Sequence, residues 1–187
     1  MVHDIRVILE DPEVELVAEM MGGSHPAYDF TRAALEAGKS VVTSNKEVVA
    51  KFGVELCELA AQKGVRYMFE ASVGGGIPII RPMCNDLASS NILEINGILN
   101  GTTNYILTKM DTEGADFSDV LRDAQAKGYA EADPTADVEG LDAARKIVIL
   151  AALAFGKLLD PIADKLSLLT IISLFVLDGQ IPLWILL

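Results

Sequence analysis

The sequence predicts an α/β protein, because segments patterned as strands alternate with segments patterned as helices along its first part. Three apolar runs are predicted as strands, and they cover residues 14–20, 40–44 and 65–70. Helical stretches near 26–37 and 46–63 separate the strands, and each is followed by a glycine, Gly38 or Gly64, as helix C-termini commonly are. This alternation favours a parallel sheet with helices packed on it.

The N-terminal stretch, MVHDIRVILEDPEVEL, carries acids and lacks a basic segment followed by an apolar core, so it does not resemble a secretory signal. Pro12 and the acids around it predict a turn before the first clear strand.

Charge and cysteine content narrow the classes of function. A net charge of −12 and a pI near 4.5 argue against a nucleic-acid partner, because such partners are held mainly by Lys and Arg on phosphates. Cys57 and Cys84 have neither a CxxC spacing nor a histidine neighbour, so neither a zinc site nor a disulfide framework is predicted. A reducing, cytoplasmic setting fits these cysteines.

Three parts are predicted along the chain. Residues 1–69 contain the alternating strands and helices. Residues 70–155 begin at EASVGGGIPII, where Pro78 suits a helix start, and end with a helix predicted over 139–155. Residues 156–187 are strongly apolar and form a different kind of sequence.

The ends of the first two predicted strands are candidates for nucleotide binding. MGGSHPA (21–27) and TSNKEVVA (43–50) each lead from a strand into a helix, where backbone amides suit phosphate or nicotinamide groups. The GxGxxG fingerprint is absent, and Gly22 and Gly23 could equally make only a turn. Lys46 opposes the dipole of the helix that it begins, so a nearby anion or a functional partner is one interpretation and a solvated surface lysine is the other.

The loop SVGGGIP is a second candidate. Consecutive glycines let backbone amides and carbonyls approach a phosphate, a nicotinamide or a cation closely. Taken alone, the same loop is equally well interpreted as a flexible turn.

Lys146 is the strongest candidate for chemistry. In a helix over 139–155 it shares a face with Asp142, four residues earlier, and such pairs are usually ordinary surface contacts. The residues from Ile147 to Phe155 are all apolar, so we expect Lys146 at the edge of a core. Burial disfavours the ammonium and an adjacent aspartate favours it, which is how lysines are tuned for proton transfer.

Four segments together resemble homoserine dehydrogenase, the family of oxidoreductases that interconvert homoserine and aspartate 4-semialdehyde with NAD(P). They are GKSVVTSNKEVVA, EASVGGGIPIIRPM, INGILNGTTNYILTKM and AQAKGYAEADPTADVEGLDAARKIVILAALAFG. The resemblance covers roughly residues 1–155. It implies an incomplete nucleotide-binding domain of the Rossmann type over 1–69 and an α+β substrate and catalytic domain over 70–155.

The resemblance also implies roles for individual residues. Lys146 corresponds to the proton donor and acceptor, and Asp142 to the acid that orients it. Glu131 corresponds to the acid that binds the substrate's amino end, with Asp137 nearby, and Lys46 lies at the cofactor and substrate. Asp133 and Glu139 are expected to be solvated or capping residues.

Cofactor and metal ligands follow from the same resemblance. The cofactor, NADP or NAD, is expected to contact Gly22, Gly23, Asn45, Lys46, Gly74 and Gly75. A sodium ion is expected to take oxygens from Glu70, Val73, Gly75 and Ile77.

The sequence departs from the family pattern at both ends. The strand and GxGxxG turn that hold the cofactor pyrophosphate in the family are missing from this sequence, so weak cofactor binding is expected and NAD is not distinguished from NADP. The third part, GKLLDPIADKL onward, resembles half of the CDP-alcohol phosphatidyltransferase motif through Gly156, Asp160 and Asp164. This implies two unrelated fragments joined near residues 155–157. The apolar tail is expected to form either a helix that associates with membranes or a helix that packs against the α/β body.

Two other classes stay open. The chain could be an inactive remnant that only associates with a complete homologue, or a membrane-associated phosphatidyltransferase fragment. The partner expected first is the small-molecule substrate; a homo-oligomer is a further expectation, and the sequence does not fix the oligomeric state.

Overall fold

The computed structural model describes residues 4–155. These residues form two compact units. Unit 1 contains residues 4–100 and 142–150, and unit 2 contains residues 101–141 and 151–155. The division predicted between residues 69 and 70 stays a prediction.

A three-stranded parallel sheet forms the centre of unit 1. Its strands are β1 (Leu16–Glu19), β2 (Ser40–Thr43) and β3 (Tyr67–Met68), in the order β1-β2-β3. Leu16 pairs with Ser40, and Val41 pairs with Tyr67. The predicted parallel sheet is therefore confirmed, with strands shorter than predicted.

The helices between the strands begin and end close to the predicted positions. They are α2 (Ala27–Glu36) and α3 (Lys46–Lys63). Gly38 and Gly64 follow them with φ angles of 77° and 69°, in the left-handed region that glycine adopts without steric cost. The predicted glycine helix ends are confirmed.

One helix before the sheet was not predicted. It is α1 (Arg6–Glu10), a single short turn without buried residues. At its start, the Asp4 carboxylate accepts a 2.9 Å hydrogen bond from the amide of Arg6. The turn predicted at Pro12 follows it. Buried Lys39 donates 2.7 Å hydrogen bonds to the carbonyl oxygens of Asp11 and Val14, which ties this turn to the start of β2.

The core of unit 1 lies between the sheet and helices α2 and α3. Leu35, Val41, Val48 and Leu56 are fully buried there. Burying each side chain of this size contributes about 1.5–3 kcal/mol, so this layer holds the carboxyl ends of the strands in fixed positions.

Beyond β3 the chain turns sharply. A 3-10 helix (Glu70–Ser72) replaces the last residue of the predicted third strand, and the glycine loop and a π-helical turn (Pro82–Asp86) follow. Residues 91–100 belong to no strand or helix in the described part of the chain.

Unit 2 is helical over its described residues. It contains α4 (Gly101–Glu113), α5 (Phe117–Ala126) and α6 (Thr135–Val138), with Ile106, Val120 and Ala124 buried. The Thr102 hydroxyl donates a 2.7 Å hydrogen bond to the carbonyl oxygen of Tyr129.

The last described helix is α7 (Leu141–Phe155), which begins two residues later than predicted. Its residues 142–150 belong to unit 1. Ile149 and Leu150 are buried, whereas Ile147 and Val148 are half-buried. Within residues 4–155 we find no helix both long and apolar enough to cross a bilayer. The predicted tail, with Gly156, Asp160 and Asp164, lies outside the described residues.

Candidate functional site

The loops that follow the three strands meet at one edge of the sheet in unit 1. Because the strands are parallel, Glu19, Thr43 and Met68 all end at this edge. The candidate segments MGGSHPA, TSNKEVVA and SVGGGIP begin there. This arrangement is the one in which doubly wound sheets bind nucleotides.

Asn45 joins the first two of these loops. Its side-chain Nδ2 donates hydrogen bonds of 3.0 Å to the Met21 carbonyl oxygen and 2.8 Å to that of Gly23. Its Oδ1 accepts from the amides of Glu47 and Val48 and so caps α3. A single buried amide therefore fixes both the glycine turn and the start of the helix.

Glu19 and Thr43 support this arrangement, and sequence reasoning missed both. The Glu19 carboxylate is 4% exposed, and it accepts 2.6 Å hydrogen bonds from the Met21 amide and the Thr43 hydroxyl. Thr43 Oγ1 in turn accepts a 2.9 Å hydrogen bond from the amide of Asn45. A polar residue at the last position of an otherwise apolar strand was the available signal.

The first residue of α3 contacts the first turn of α7 within unit 1. The Lys46 ammonium forms a hydrogen-bonded ion pair with Asp142 Oδ1, although 96 positions separate the two residues in the sequence. The anion expected near Lys46 is therefore the carboxylate of Asp142.

Lys146 is held by two oxygen atoms. Its Nζ lies 2.8 Å from Asp142 Oδ2, as the shared helical face predicts, and donates a 2.7 Å hydrogen bond to the carbonyl oxygen of Leu99. The side chain is only 17% exposed. It thus lies at the margin of buried structure with an anion beside it.

Asp142 is the centre of the cluster. Its side chain is 5% exposed, and Oδ2 also accepts a 2.9 Å hydrogen bond from Asn100 Nδ2. Burial raises the pKa of Asp142, but hydrogen bonds from Lys146, Lys46 and Asn100 outweigh it and lower the pKa to about 2. The carboxylate is therefore a permanent anion at neutral pH.

A second network surrounds Glu47, next to Lys46. Its Oε1 accepts hydrogen bonds from Ser24 and from Lys51, the latter at 2.8 Å, and Oε2 lies 3.5 Å from Arg145 Nη2. Hydrogen bonds from Lys51 and Ser24 lower the pKa of Glu47 to about 2. Two ion pairs of opposite polarity thus join the starts of α3 and α7.

The glycine loop is closed by Glu70. Its carboxylate accepts three backbone hydrogen bonds, from the amides of Ile79 at 2.5 Å, Ile80 at 2.7 Å and Arg81 at 2.8 Å. Burial raises the pKa of Glu70, but these hydrogen bonds outweigh it, so the pKa lies below its ordinary value. Glu70 therefore acts as the cap of the turn that follows the loop.

Two glycines of the loop are required by its geometry. A Cβ on Gly74 would lie 2.3 Å from the Ile77 carbonyl oxygen, and Gly75 has a φ of 61°.

Among residues 4–155 there is no group of three or more His, Cys, Asp or Glu side chains that could hold a metal ion. Val73 and Ile77, the other residues expected at a sodium ion, flank these glycines.

Glu131 and Asp137 belong to unit 2. Glu131 is exposed, and its carbonyl oxygen accepts a 3.1 Å hydrogen bond from Gln125 Nε2. Asp137 is half-buried on α6. Asp133 is exposed and accepts hydrogen bonds from the Thr135 amide and hydroxyl at the start of α6. The substrate-binding roles of Glu131 and Asp137 stay predictions.

Sequence profiles of known families match most of the chain. Residues 1–70 match the profile described as "Homoserine dehydrogenase, NAD binding domain", and residues 78–173 match that described as "Homoserine dehydrogenase". The second match continues through Gly156, Asp160 and Asp164, and the phosphatidyltransferase resemblance of that segment finds no support in it.

Known proteins of the same description are similar over most of the chain. The homoserine dehydrogenase of Synechocystis is 55% identical over 82% of this chain and 35% of its own length. That of Mycobacterium tuberculosis is 51% identical over 81% of this chain and 34% of its own. The chain therefore spans about a third of the length of these curated relatives.

Solved structures agree with the sequence matches. The homoserine dehydrogenase of Thiobacillus denitrificans has a TM-score of 0.78 at 50% identity, covering 82% of this chain and 36% of its own. A hyperthermophilic archaeal homoserine dehydrogenase in complex with NADPH has a TM-score of 0.76 at 33% identity, covering 82% and 48%.

Proposed function

Since the chain belongs to the homoserine dehydrogenase family, we propose that its residues carry the proton-transfer site of an NAD(P)-dependent interconversion of L-homoserine and L-aspartate 4-semialdehyde. The observation that carries this proposal is the buried Asp142 carboxylate held between Lys46 and Lys146. An acid fixed between two amines, at the edge where a doubly wound sheet binds nucleotides, suits the oxidation of an alcohol.

Lys146 is proposed as the general acid and base. Oxidation of the substrate alcohol requires removal of its hydroxyl proton as the hydride leaves, and a side chain within hydrogen-bond reach has to accept that proton. The Lys146 amine is held by Asp142 and the Leu99 carbonyl, so its position is fixed before a substrate arrives. In the reverse direction the same ammonium returns the proton to the aldehyde oxygen.

Asp142 and Lys46 are proposed to orient the reaction. The Asp142 anion stabilises the positive charge that Lys146 gains with the proton. Lys46, whose side chain is 39% exposed, presents its ammonium toward Asp142 from the start of α3 and is proposed to contact substrate and cofactor. Glu131, with Asp137, is proposed to bind the substrate ammonium group, which fixes the reacting carbon.

The residues at the sheet edge fit a nicotinamide dinucleotide. A Cβ added at Gly22 or Gly23 would contact nothing within 4 Å, so the backbone there lies open to a bound group. Asn45 and Lys46, with Gly74 and Gly75 of the glycine loop, complete the proposed contacts. When bound, the dinucleotide supplies the hydride acceptor.

A sodium ion at the glycine loop belongs to the same proposal. Because the Glu70 carboxylate oxygens already accept three amides, the ion would rely on backbone carbonyls such as those of Val73, Gly75 and Ile77. Comparison of the thermal unfolding midpoint in sodium chloride and in choline chloride tests this site. An equal midpoint in the two salts would remove sodium from the proposal.

The setting and assembly of the protein are also proposals. Cys57 and Cys84 are free thiols, which fits a reducing, cytoplasmic setting. Self-association into a homo-oligomer is tested by sedimentation velocity of the full chain.

A hybrid enzyme tests the proposed reaction. Residues 4–155 replace the matched segment of the Synechocystis homoserine dehydrogenase, and homoserine-dependent reduction of NAD⁺ and NADP⁺ is followed by absorbance. We expect the hybrid to oxidise homoserine with at least one of the two dinucleotides. A folded hybrid without activity, beside an active parent enzyme, would contradict the proposal.

A further inference from the structure

We infer that Asn100 is a positioning residue for the proton-transfer pair, because two consecutive residues, Leu99 and Asn100, hold Lys146 and Asp142 in place. This inference rests on the proposed function and names a residue that acts through Asp142.

The contacts of the two residues converge on the pair. The Leu99 carbonyl oxygen accepts a 2.7 Å hydrogen bond from Lys146 Nζ, and Asn100 Nδ2 donates a 2.9 Å hydrogen bond to Asp142 Oδ2. Leu99 lies 47 positions before Lys146, and Asn100 lies 42 positions before Asp142. One short stretch of backbone, at the end of the irregular segment 91–100, therefore orients both partners.

Burial makes the Asn100 contact consequential. Asn100 is 7% exposed and Asp142 is 4% exposed, so neither side chain can exchange its partner for water without a rearrangement. A buried carboxylate that loses a donor bears the cost of desolvation without compensation. Asn100 is therefore placed to fix the rotation of the carboxylate plane.

The chemistry of an amide suits this task. Asn100 stabilises the Asp142 anion by a hydrogen bond without adding a charge to the cluster. Charge already surrounds the carboxylate: Lys46 reaches it from α3, Lys146 from α7 itself, and the Glu47–Arg145 pair lies alongside. An aspartate at position 100 would instead place a second carboxylate within hydrogen-bond distance.

Carboxyl titration in the full chain tests the inference. The Asp142 carboxyl carbon is followed by NMR in the wild type and in Asn100→Asp. Because two adjacent carboxyls keep a shared proton, we expect Asp142 in the variant to titrate between about pH 6 and pH 3, a range in which the wild-type group stays ionised. A folded variant in which the Asp142 signal does not move over this range would overturn the inference.

Asn96→Asp provides the matched control. Asn96 is exposed in the same irregular segment, so this substitution adds an identical carboxyl group at an exposed position. We expect the Asp142 signal to follow the wild type in this control. An equal change in both variants would mean that net charge, and not the Asn100 contact, moves the titration, which would also overturn the inference.

A second pair of variants decides the case if Asn100→Asp does not fold. Asn100→Ala is compared in the wild-type and Asp142→Asn backgrounds by thermal unfolding. If Asn100 acts through Asp142, the fall in unfolding midpoint caused by Asn100→Ala is smaller once Asp142 has lost its charge. Additive effects of the two substitutions would contradict the inference.

Kinetics of the hybrid enzyme separate this inference from the proposed function. In an active hybrid, Asn100→Asp is expected to lower turnover and to shift its pH dependence, whereas Asn96→Asp leaves both unchanged. A hybrid that is inactive without either substitution would contradict the proposed function but not this inference. The titration of Asp142 in the full chain still decides whether Asn100 holds that carboxylate.

Discussion

Lys46 and Asp142 form an ion pair between the first turn of α3 and the first turn of α7, in which the Asp142 side chain is buried and the Lys46 side chain is partly exposed. The partners come from the two segments that sequence analysis assigned separately to cofactor binding and to proton transfer. Their contact brings these assignments into one site within unit 1.

Loss of the Lys146 amine should remove most of the turnover. In the hybrid enzyme we expect Lys146→Ala to lower kcat by about two to four orders of magnitude, the range for a lost general acid and base. Homoserine should still bind, since the proposed ligand of its ammonium group, Glu131, is retained. Steady-state kinetics measure both quantities.

Lys109→Ala is the matched control for that prediction. Lys109, in unit 2, also pairs with an acid four residues away, Glu113 at 2.7 Å, and its side chain is 28% exposed, against 17% for Lys146. Turnover in this control should stay near that of the parent. If turnover in Lys146→Ala also stayed near that of the parent, Lys146 would be only a partner in an ordinary ion pair.

The charge of Asp142 should make stability depend on acid pH. Its pKa in the folded protein is about 2, below the ordinary value of 3.8, so the folded state favours the anion. The stabilisation is fully present above about pH 4 and is lost as the pH falls toward about 2, with a size on the order of 2 kcal/mol. Urea unfolding at a series of pH values measures it.

Asp142→Asn should flatten this dependence. The variant should be less stable at neutral pH and lose less stability on acidification, because the titrating group is gone. A wild type and a variant with parallel pH profiles would show that Asp142 contributes no charge-dependent stability.

Removal of the Asn45 amide should weaken both the fold and the cofactor site. Asn45→Ala loses the cap of α3, which costs about 1–2 kcal/mol, and releases the turn at Met21 and Gly23. We expect lower thermal stability and weaker NADPH binding by calorimetry in the hybrid enzyme. Asp116→Ala is the control, because Asp116 begins α5 without a side-chain capping hydrogen bond. Equal losses of thermal stability and of NADPH binding in both variants would contradict the role of the Asn45 hydrogen bonds.

Substitution of two nearby glycines in the glycine loop should change stability by different amounts. Gly74→Ala forces a Cβ against the Ile77 carbonyl oxygen and should cost about 1–3 kcal/mol of unfolding free energy. Gly76→Ala meets nothing within 4 Å and should change stability little. Chemical unfolding of the two variants gives the comparison, and a Gly74→Ala protein as stable as Gly76→Ala would show that the loop rearranges freely.

The sequence predicted those features that depend on local spacing. Asp142 and Lys146 lie four residues apart on one helix, so their contact needs no knowledge of tertiary structure. The parallel sheet followed from alternation of strands and helices, and the glycine helix ends from the positions of Gly38 and Gly64.

Features that depend on distant contacts were not predictable. The third strand was predicted to run to residue 70, but the Glu70 carboxylate binds amides nine to eleven positions later and the backbone turns there instead. Asn100 gave no signal as a site residue, because the partner that makes it important, Asp142, meets it only in the folded chain.

The hydrogen bonds from Ile79, Ile80 and Arg81 to Glu70 close residues 70 to 81 into a ring. This closure constrains the number of residues in the loop more strictly than it constrains their identity. Many side chains could replace Gly76, which has open space around it. A single inserted or deleted residue, however, would move all three amides away from the carboxylate at once. Evolution of this loop is therefore expected to proceed by substitution at constant length.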